Sequence, residues 1–220
     1  MKRLIADMHI HTALSPCASP EMTPDAIVRE AARKGLAVIA VCDHNTAGNV
    51  RAVAAAAAGI PGGPVVIAGI EITTVEEVHV LGWFPTADSA CAAAGELEVD
   101  SALASAASQL TLSQTVDLIH RHGGLAVAAH VDRRSFSVPG QLGFIPPDVP
   151  FDGLEISAAG AARGRAAGFA ALGLPLVSSS DCHFLDDMGA GTTQLDVAAA
   201  CFDEIAMALG MVEGRGCTIA

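Results

Sequence analysis

The sequence of 220 residues has no tyrosine, one tryptophan and only two lysines, Lys2 and Lys34. With 24 acidic against 12 basic side chains its formal net charge is −12. So few cations exclude a polybasic membrane patch and argue against broad contact with a phosphate backbone, which calls for stripes of Lys and Arg. Duplex nucleic acid is therefore not expected as a partner. No long apolar run is uninterrupted either. The uncharged stretch from Ala52 to Ile70 is broken by Gly59, Pro61, Gly62, Gly63, Pro64 and Gly69, and reads as helix, turn and buried strand rather than as a membrane span. Asp7 and His9 arrive before any signal-peptide apolar region develops. Six cysteines show no C-x-x-C pair, which fits reduced, mostly buried thiols of a cytoplasmic protein. Neither a G-x-x-x-x-G-K-[ST] phosphate loop nor a G-x-S-x-G nucleophile turn occurs.

What is present is a core-forming composition, 51 % hydrophobic and 16 % charged, sized for one domain over residues 1–220. Period and punctuation give strands at Leu4–His11, Leu36–Cys42, Val65–Ile72, Val78–Phe84, Leu125–Val131, Gly153–Ser157, Leu174–Ser180 and Thr192–Val197. Helices are expected at Asp25–Lys34, around Ala47–Ala58, at Leu112–His122, Ala161–Leu172 and Phe202–Met211, with one or two in all across 86–122. Thr23-Pro24 marks the first helix start and Gly35 its end. Alternating β and α elements with fully apolar strands mean parallel strands covered by helices, in a closed barrel or an open sheet.

The polar residues choose between these. Asp7, His9 and His11, then Asp43 and His44, Glu71, His79, His130, Glu155, and Asp181 and His183 fall on strands or at their ends. A barrel gathers strand ends at one mouth, where active sites are built. An open sheet spreads them along a line. His9 and His11 at i and i+2 share one strand face, as do Asp181 and His183. His120-x-His122 has the same spacing but lies in a helix, where i and i+2 diverge, so it is a poor chelate. Burying so many polar groups unpaired would cost roughly 1–3 kcal/mol each. Metal ions supply the missing partner, and imidazole with carboxylate suits zinc, manganese or iron.

The ordered set Asp7-x-His9-x-His11-Thr12, Asp43-His44-Asn45, Gly69-Ile70-Glu71, His79, His130 and Ser180-Asp181-x-His183 resembles the polymerase-and-histidinol-phosphatase (PHP) family of metal-dependent phosphoesterases. The resemblance implies a distorted (β/α)7 TIM-like barrel with about three divalent ions at its mouth. It implies His9, His11, His44, Glu71, His79, His130, Asp181 and His183 as ligands, with Glu71 bridging two ions and Glu71, Asp181 and His183 acting in catalysis. Many members carry an aspartate five residues after the second histidine, where this chain has Pro16. Cys17 follows, where some members place a histidine, and is expected as a softer ligand.

The activity so implied is hydrolysis of a small phosphomonoester or nucleotide by a metal-activated hydroxide at a trinuclear site. Residues 132–150 lack a period and carry Arg133 and Arg134, suited to a bidentate grip on phosphate. Arg163 and Arg165 follow the Glu155 strand in the same loop region. Glu155 reads either as a support behind the ligands or as a cap on the mouth. Two other functions fit part of the pattern. An amidohydrolase also begins with His-x-His, but usually needs a carbamylated lysine near mid-chain, and neither lysine is placed for it. A non-catalytic metal-binding regulatory module would be expected to have lost ligands.

Overall fold

Short apolar runs bounded by glycine and proline become strands, and amphipathic runs with polar caps become the helices that cover them. The computed structural model describes residues 1–99 and 106–220. The strands are β1 (Lys2–Ile10), β2 (Val38–Val41), β3 (Val65–Thr73), β4 (His79–Phe84), β5 (Leu125–Ala128), β6 (Gly153–Ser157), β7 (Leu176–Ser179), β8 (Thr193–Val197) and β9 (Gly216–Ile219). The helices are α1 (Pro24–Arg33), α2 (Val50–Ala58), α3 (Ala87–Gly95), α4 (Leu112–Arg121), α5 (Val138–Leu142), α6 (Ala158–Ala162) and α7 (Phe202–Leu209). For α1 the capping is as read: the Thr23 hydroxyl accepts from the Ala26 N–H, Pro24 opens the helix, and Ile27, Val28 and Ala31 are buried. The expected helices across 86–122 are α3 and α4; residues 100–105 of that interval lie outside the described residues.

One sheet runs in the order β7-β6-β5-β4-β3-β2-β1-β8-β9. It curls into a nearly closed barrel whose staves are β1 to β7. The seam lies along β1, whose first half pairs with antiparallel β8 through Lys2–Ala6. Its far end meets the chain after β7 instead: Ile10 bridges Cys182, and the His11 N–H donates to the Cys182 carbonyl at 3.1 Å. The expected all-parallel order is corrected at β4, which runs antiparallel to both β3 and β5. Only residues 74–78 join β3 to β4, too few for the crossover that parallel strands need. The reversal puts His79, the first residue of β4 and the partner of Thr73, at the same end as the last residues of the parallel staves. The expected helix Ala161–Leu172 is also corrected, to α6 followed by 3₁₀ turns at Arg165–Gly168 and Ala170–Leu172. Gly164 and Gly173 sit at φ +69° and +72°, a conformation that ends a helix.

Two apolar layers hold the staves. The inner one, on the barrel axis, contains Ala6, Met8, Val38, Ala40, Cys42, Ile67, Leu81, Trp83, Val127 and Val177. The outer one packs Ile39, Val41, Ile70, Ile72, Val80 and Ala128 against the helices. In β1 the alternation changes partway. Ala6 and Met8 are inner, yet Ile10 is outer. Between Asp7 and Ile10 the strand advances three residues while β2 advances two, from Ile39 to Val41. Such a bulge re-aims the side chains beyond it, and here it turns His9 and His11 inward. Trp83, the one tryptophan, pins the bulge by donating its indole N–H to the Met8 carbonyl at 3.0 Å. On β3, Gly69 leaves room for the Cys42 side chain, since a Cβ there would lie 2.6 Å from its sulfur, and that thiol donates to the same Met8 carbonyl at 3.6 Å.

Trp83→Phe should therefore cost about 2 kcal/mol, combining lost volume with a Met8 carbonyl left to the weak Cys42 thiol donor at 3.6 Å. Denaturant unfolding measures this, and a loss near zero would show that the bulge needs no such pin.

Candidate metal centre

At the mouth the inward staves deliver their polar residues to one buried point, the Glu71 carboxylate. His9, His11, Glu71, His44, His79 and His130 are all buried. Glu71 Oε1 lies 2.8 Å from His79 Nδ1, 3.3 Å from His130 Nε2 and 3.4 Å from His9 Nε2. Its Oε2 lies 2.9 Å from His44 Nδ1 and 3.3 Å from His11 Nε2. Asp181 Oδ1 approaches the same centre from across the seam, 3.1 Å from His11 Nε2 and 3.3 Å from His9 Nε2. Burial alone would raise the Glu71 carboxyl, but His79, His9 and His44 hold it well below the ordinary carboxylate range. Burial opposes charge on His9, yet Glu155, Asp181 and Glu71 outweigh it and hold its pKa well above the usual value. His183 goes the other way, down to about 4, through burial and the neighbouring His11.

The far side of several rings is fixed. His9 Nδ1 lies 3.1 and 3.2 Å from the two oxygens of Glu155, a buried residue on β6. His11 Nδ1 lies 2.9 Å from the Ser15 hydroxyl, which spends its own proton on Asp43 Oδ1 at 2.7 Å. That hydroxyl can only accept from His11. His183 Nδ1 faces the Asp181 carbonyl at 2.9 Å. When these three rings are neutral, the proton is held on Nδ1 and a bare Nε2 is left for the centre. The Nε2 atoms of His9 and His11 lie only 3.1 Å apart. With both rings neutral, their facing lone pairs call for a cation between them, either a proton or a metal ion.

Carboxylates elsewhere at the mouth staple strand ends together. Asp43 accepts from the Thr12 N–H and hydroxyl, both at 2.7 Å. Asp7 accepts from the Ser180 N–H at 3.0 Å, its hydroxyl at 2.6 Å and the Gly189 N–H at 2.8 Å. Asp132 takes the Ser157 N–H and hydroxyl at 2.7 and 2.8 Å, and Glu155 also takes the His130 N–H at 3.0 Å. Burial pushes the Asp7 carboxyl up to about 6 in spite of its three donors. His130 and Asp181 have positive φ, +30° and +52°, a conformation that costs non-glycine residues and gathers at functional sites.

Around this point lies an open cavity of about 760 Å³, bordered by His44, Glu71, His79, His130, Asp181 and His183 and rimmed by arginines. Arg133 closes over Asp181, Nη1 to Oδ2 at 2.5 Å. Arg134 pairs with no carboxylate among the described residues. Phe136, 44 % exposed and at φ +57°, stacks on His79 with ring centroids 4.7 Å apart. Three groups of side chains could each hold an ion: His11, His44 and His183; His9, His11, Glu71 and Asp181; His44, Glu71 and His79. His130 stands beside these groups through Glu71. Cys17 is exposed and belongs to none of them; partial burial and the charges of Glu71, Asp181 and Asp43 raise its thiol pKa. The pair His120 and His122 goes elsewhere, to Asp152 at 2.8 Å and Glu96 at 2.6 Å.

The staples formed by Asp7, Asp43 and Asp132 escaped notice in the sequence. Their one signal is an acid within a strand, as Asp7 is, or just beyond one, as Asp43 and Asp132 are, with Thr12, Ser157 or Ser180 closing a neighbouring stave.

Comparison with known proteins agrees with this architecture. Residues 160–211 match the family model described as PHP-associated. The lesion-specific endonuclease PfuEndoQ from Pyrococcus furiosus superposes with a TM-score of 0.73 at 19 % identity, over 98 % of this chain and 58 % of that one. The chain folds as a PHP-type barrel. A metal-dependent phosphoesterase, so assigned, from Bifidobacterium adolescentis gives 0.56 at 23 % identity, over 81 % of this chain and 87 % of that one. Endonuclease Q in complex with a 27-mer duplex, an abasic lesion at its active site, gives 0.72 at 18 % identity over the same shares as the first. The chain thus spans 58 % of the length of the two endonuclease chains. A search of curated proteins finds no match. The resemblance read from the sequence stands.

The duplex complex corrects the expectation that duplex nucleic acid is excluded. That endonuclease, whose fold this chain shares over 58 % of its length, binds a duplex, and a net charge of −12 describes the whole surface rather than the mouth. No helix among the described residues is long and apolar enough to cross a membrane.

The donor set fits divalent ions. Although His44 Nδ1 and His79 Nδ1 lie 2.9 and 2.8 Å from Glu71 oxygens, neither is aligned for a hydrogen bond, and buried His130 Nδ1 and Glu71 Oε2 form none either; imidazole with carboxylate oxygen is the ligand chemistry of zinc, manganese and iron. Glu155→Gln keeps the shape behind His9 but removes the carboxylate that fixes its ring. Metal affinity should fall about 10–100-fold, as read by competition with a chromogenic chelator; unchanged affinity would reduce Glu155 to a strand staple.

Proposed function

We propose that the chain is a metal-dependent phosphoesterase. The observation that supports this best is the set of three ion-sized groups sharing His11, His44 and Glu71 beneath a rim that carries Arg133 and Arg134. About three divalent ions, zinc, manganese or iron, would be held by His9, His11, His44, Glu71, His79, His130, Asp181 and His183. Cys17 has no support as a further ligand from its position. Bound there, the ions would supply Lewis acidity and a water made nucleophilic at neutral pH.

The chain's own residues do the rest. Glu71 presents its oxygens to two of the groups, so it can hold neighbouring ions together, while Asp181 serves the group of His9, His11 and Glu71. Glu155 and Ser15 keep the lone pairs of His9 and His11 directed at the centre. A phosphate entering the mouth would compete with Asp181 for Arg133, and Arg134 is free to take a second edge of the anion. Bidentate guanidinium contacts to the non-bridging oxygens would orient the ester and stabilise charge as it develops.

The substrate read from the sequence is a small phosphomonoester or nucleotide, and the endonuclease likeness adds a phosphodiester in a nucleic-acid strand. A carbamylated-lysine amidohydrolase fits less well. Lys34 is committed to the carbonyls of Asp186 and Met188 at 2.8 and 2.6 Å, and Lys2 lies exposed at the start of β1, so no lysine reaches the centre. A regulatory module without catalysis is disfavoured by the completeness of the ligand set.

His9→Ala should lower metal-dependent phosphate release by more than about a hundredfold, and a chelator should abolish wild-type release until Mn²⁺, Zn²⁺ or Fe²⁺ is restored. Full activity in His9→Ala, or turnover of cyclic amides in place of phosphate esters, would overturn the proposal.

A further inference from the structure

Asp181 and His183 lie on the segment that links β7 to β8, residues 180–192, which adds no strand to the sheet. Past His183 the segment makes a single 3₁₀ turn at Leu185–Asp187, and so short a turn leaves carbonyls without donors of its own. Lys34, at the C-terminal end of α1, meets them. Its Nζ donates to the Met188 carbonyl at 2.6 Å, to the Asp186 carbonyl at 2.8 Å and to the Leu185 carbonyl at 3.4 Å. All three donors of the ammonium thus have an acceptor on one turn. Glu30 stands 3.4 Å away, but both of its oxygens are held by Arg33 at 2.6 and 2.8 Å. The lysine side chain is 22 % exposed, and its Cδ lies 3.8 Å from where a Cβ on Gly189 would stand. The Gly189 N–H is the one that Asp7 accepts at 2.8 Å, so lysine and aspartate grip the same turn from two sides.

Because α1 follows β1 and the turn follows β7, this clamp crosses the seam. The start of the same segment is tied across it by two backbone bonds: the His11 N–H donates to the Cys182 carbonyl at 3.1 Å and the Ser19 N–H to the His183 carbonyl at 2.8 Å. Asp181 sits at φ +52°, and a conformation of that kind persists only where its surroundings over-determine it. Leu185 and Met188 also pack on the outer apolar layer, but apolar contact is not directional, whereas three bonds to one ammonium fix where the turn stands. The segment supplies His183 to one ion-sized group and Asp181 to another, and nothing to the group of His44, Glu71 and His79. Resting on the ion-binding part of the phosphoesterase reading, we infer that Lys34 is a positioning residue: by clamping the 185–188 turn to α1 it holds Asp181 and His183 over the seam, and so sets the affinity of two ion groups and not of the third.

The test uses two variants of the full chain. Lys34→Met keeps the apolar stem and removes the ammonium. Lys34→Ala makes room for propylammonium in the surface cavity of about 480 Å³ that Lys34 borders with Leu36, Met188 and Gly189. Hydrogen exchange is read on the metal-free proteins. In Lys34→Met the His11 and Ser19 amides should exchange about tenfold faster, while the Asn45 amide, which donates to the Glu71 carbonyl at 2.8 Å, keeps its rate. Titration with Zn²⁺ against a chromogenic chelator should show two ions bound about tenfold more weakly and the remaining one with wild-type affinity. Propylammonium should restore both readouts in Lys34→Ala, and propanol neither. Equal acceleration of all three amides, equal weakening of every ion or no change in either measurement overturns the assignment. So does rescue by propanol as well as by the amine, or a Lys34→Met protein that does not fold. Should wild type bind no divalent ion, the phosphoesterase reading fails and the exchange pattern alone decides the clamp. Should it bind ions yet hydrolyse no ester, that reading fails while the titration still decides the role of Lys34.

Discussion

The mouth of this barrel is organised by one buried carboxylate. Glu71 is 1 % exposed and lies within 3.4 Å of five imidazoles, and a charge so placed is tolerated only with opposite charge around it. Protons on the rings can supply that charge, as the raised pKa of His9 indicates, but only by giving up the lone pairs that Glu155 and Ser15 direct inward. Divalent ions satisfy both demands at once, so ion binding and ring deprotonation are linked. The reversed β4 brings His79 to Glu71, the bulge in β1 turns His9 and His11 toward it, and Trp83 holds the bulged backbone through the Met8 carbonyl.

The same economy explains how an acidic protein can present a mouth that attracts anions. Several of its acids are not free negative charges. Asp7, Asp43, Asp132 and Glu155 each accept N–H or O–H donors from a neighbouring stave, and in doing so splice β7 to β1, β1 to β2, and β5 to β6. Their charge is spent on order. Arginines along the 133–134 and 163–165 segments remain, next to a centre that ions would make more positive. Net charge therefore describes poorly what such a cavity binds, and this is why the exclusion of duplex nucleic acid did not hold.

Much of this was legible before the fold was known. The spacing of His9 and His11, and of Asp181 and His183, is a statement about strand geometry, and placing Glu71 and His130 on strands required only apolar runs with clear ends. The fate of His120 and His122 followed from helical period alone. The bulge was not legible, because an extra residue in a strand leaves no mark in a pattern of apolar residues. The direction of β4 was concealed for a different reason: Val78–Phe84 reads as a strand whichever way it runs, and only the length of the connection decides. Cys17 shows the limit of reading position by resemblance. A loop residue six places after His11 can be near the ions or outside them, and the path of residues 12–22 is set by tertiary contacts such as the Ser15–Asp43 bond.

The seam gives the site its remaining property. His9 and His11 belong to β1, whereas Asp181 and His183 follow β7, and the two sides are joined by the Ile10–Cys182 bridge and the Asp7–Ser180 staple. An ion held by His9, His11, Glu71 and Asp181 would therefore cross-link the barrel where its ladder is thinnest. The strained φ of Asp181 becomes intelligible in that setting, since the backbone must turn sharply at the end of β7 to bring a carboxylate back over the seam. Stability and chemistry then draw on the same few bonds: whatever loosens the seam displaces Asp181 from His9 and His11, and whatever empties the centre leaves the seam to its hydrogen bonds, the Ile10–Cys182 bridge, the Ser19–His183 backbone bond and the Asp7 staple among them.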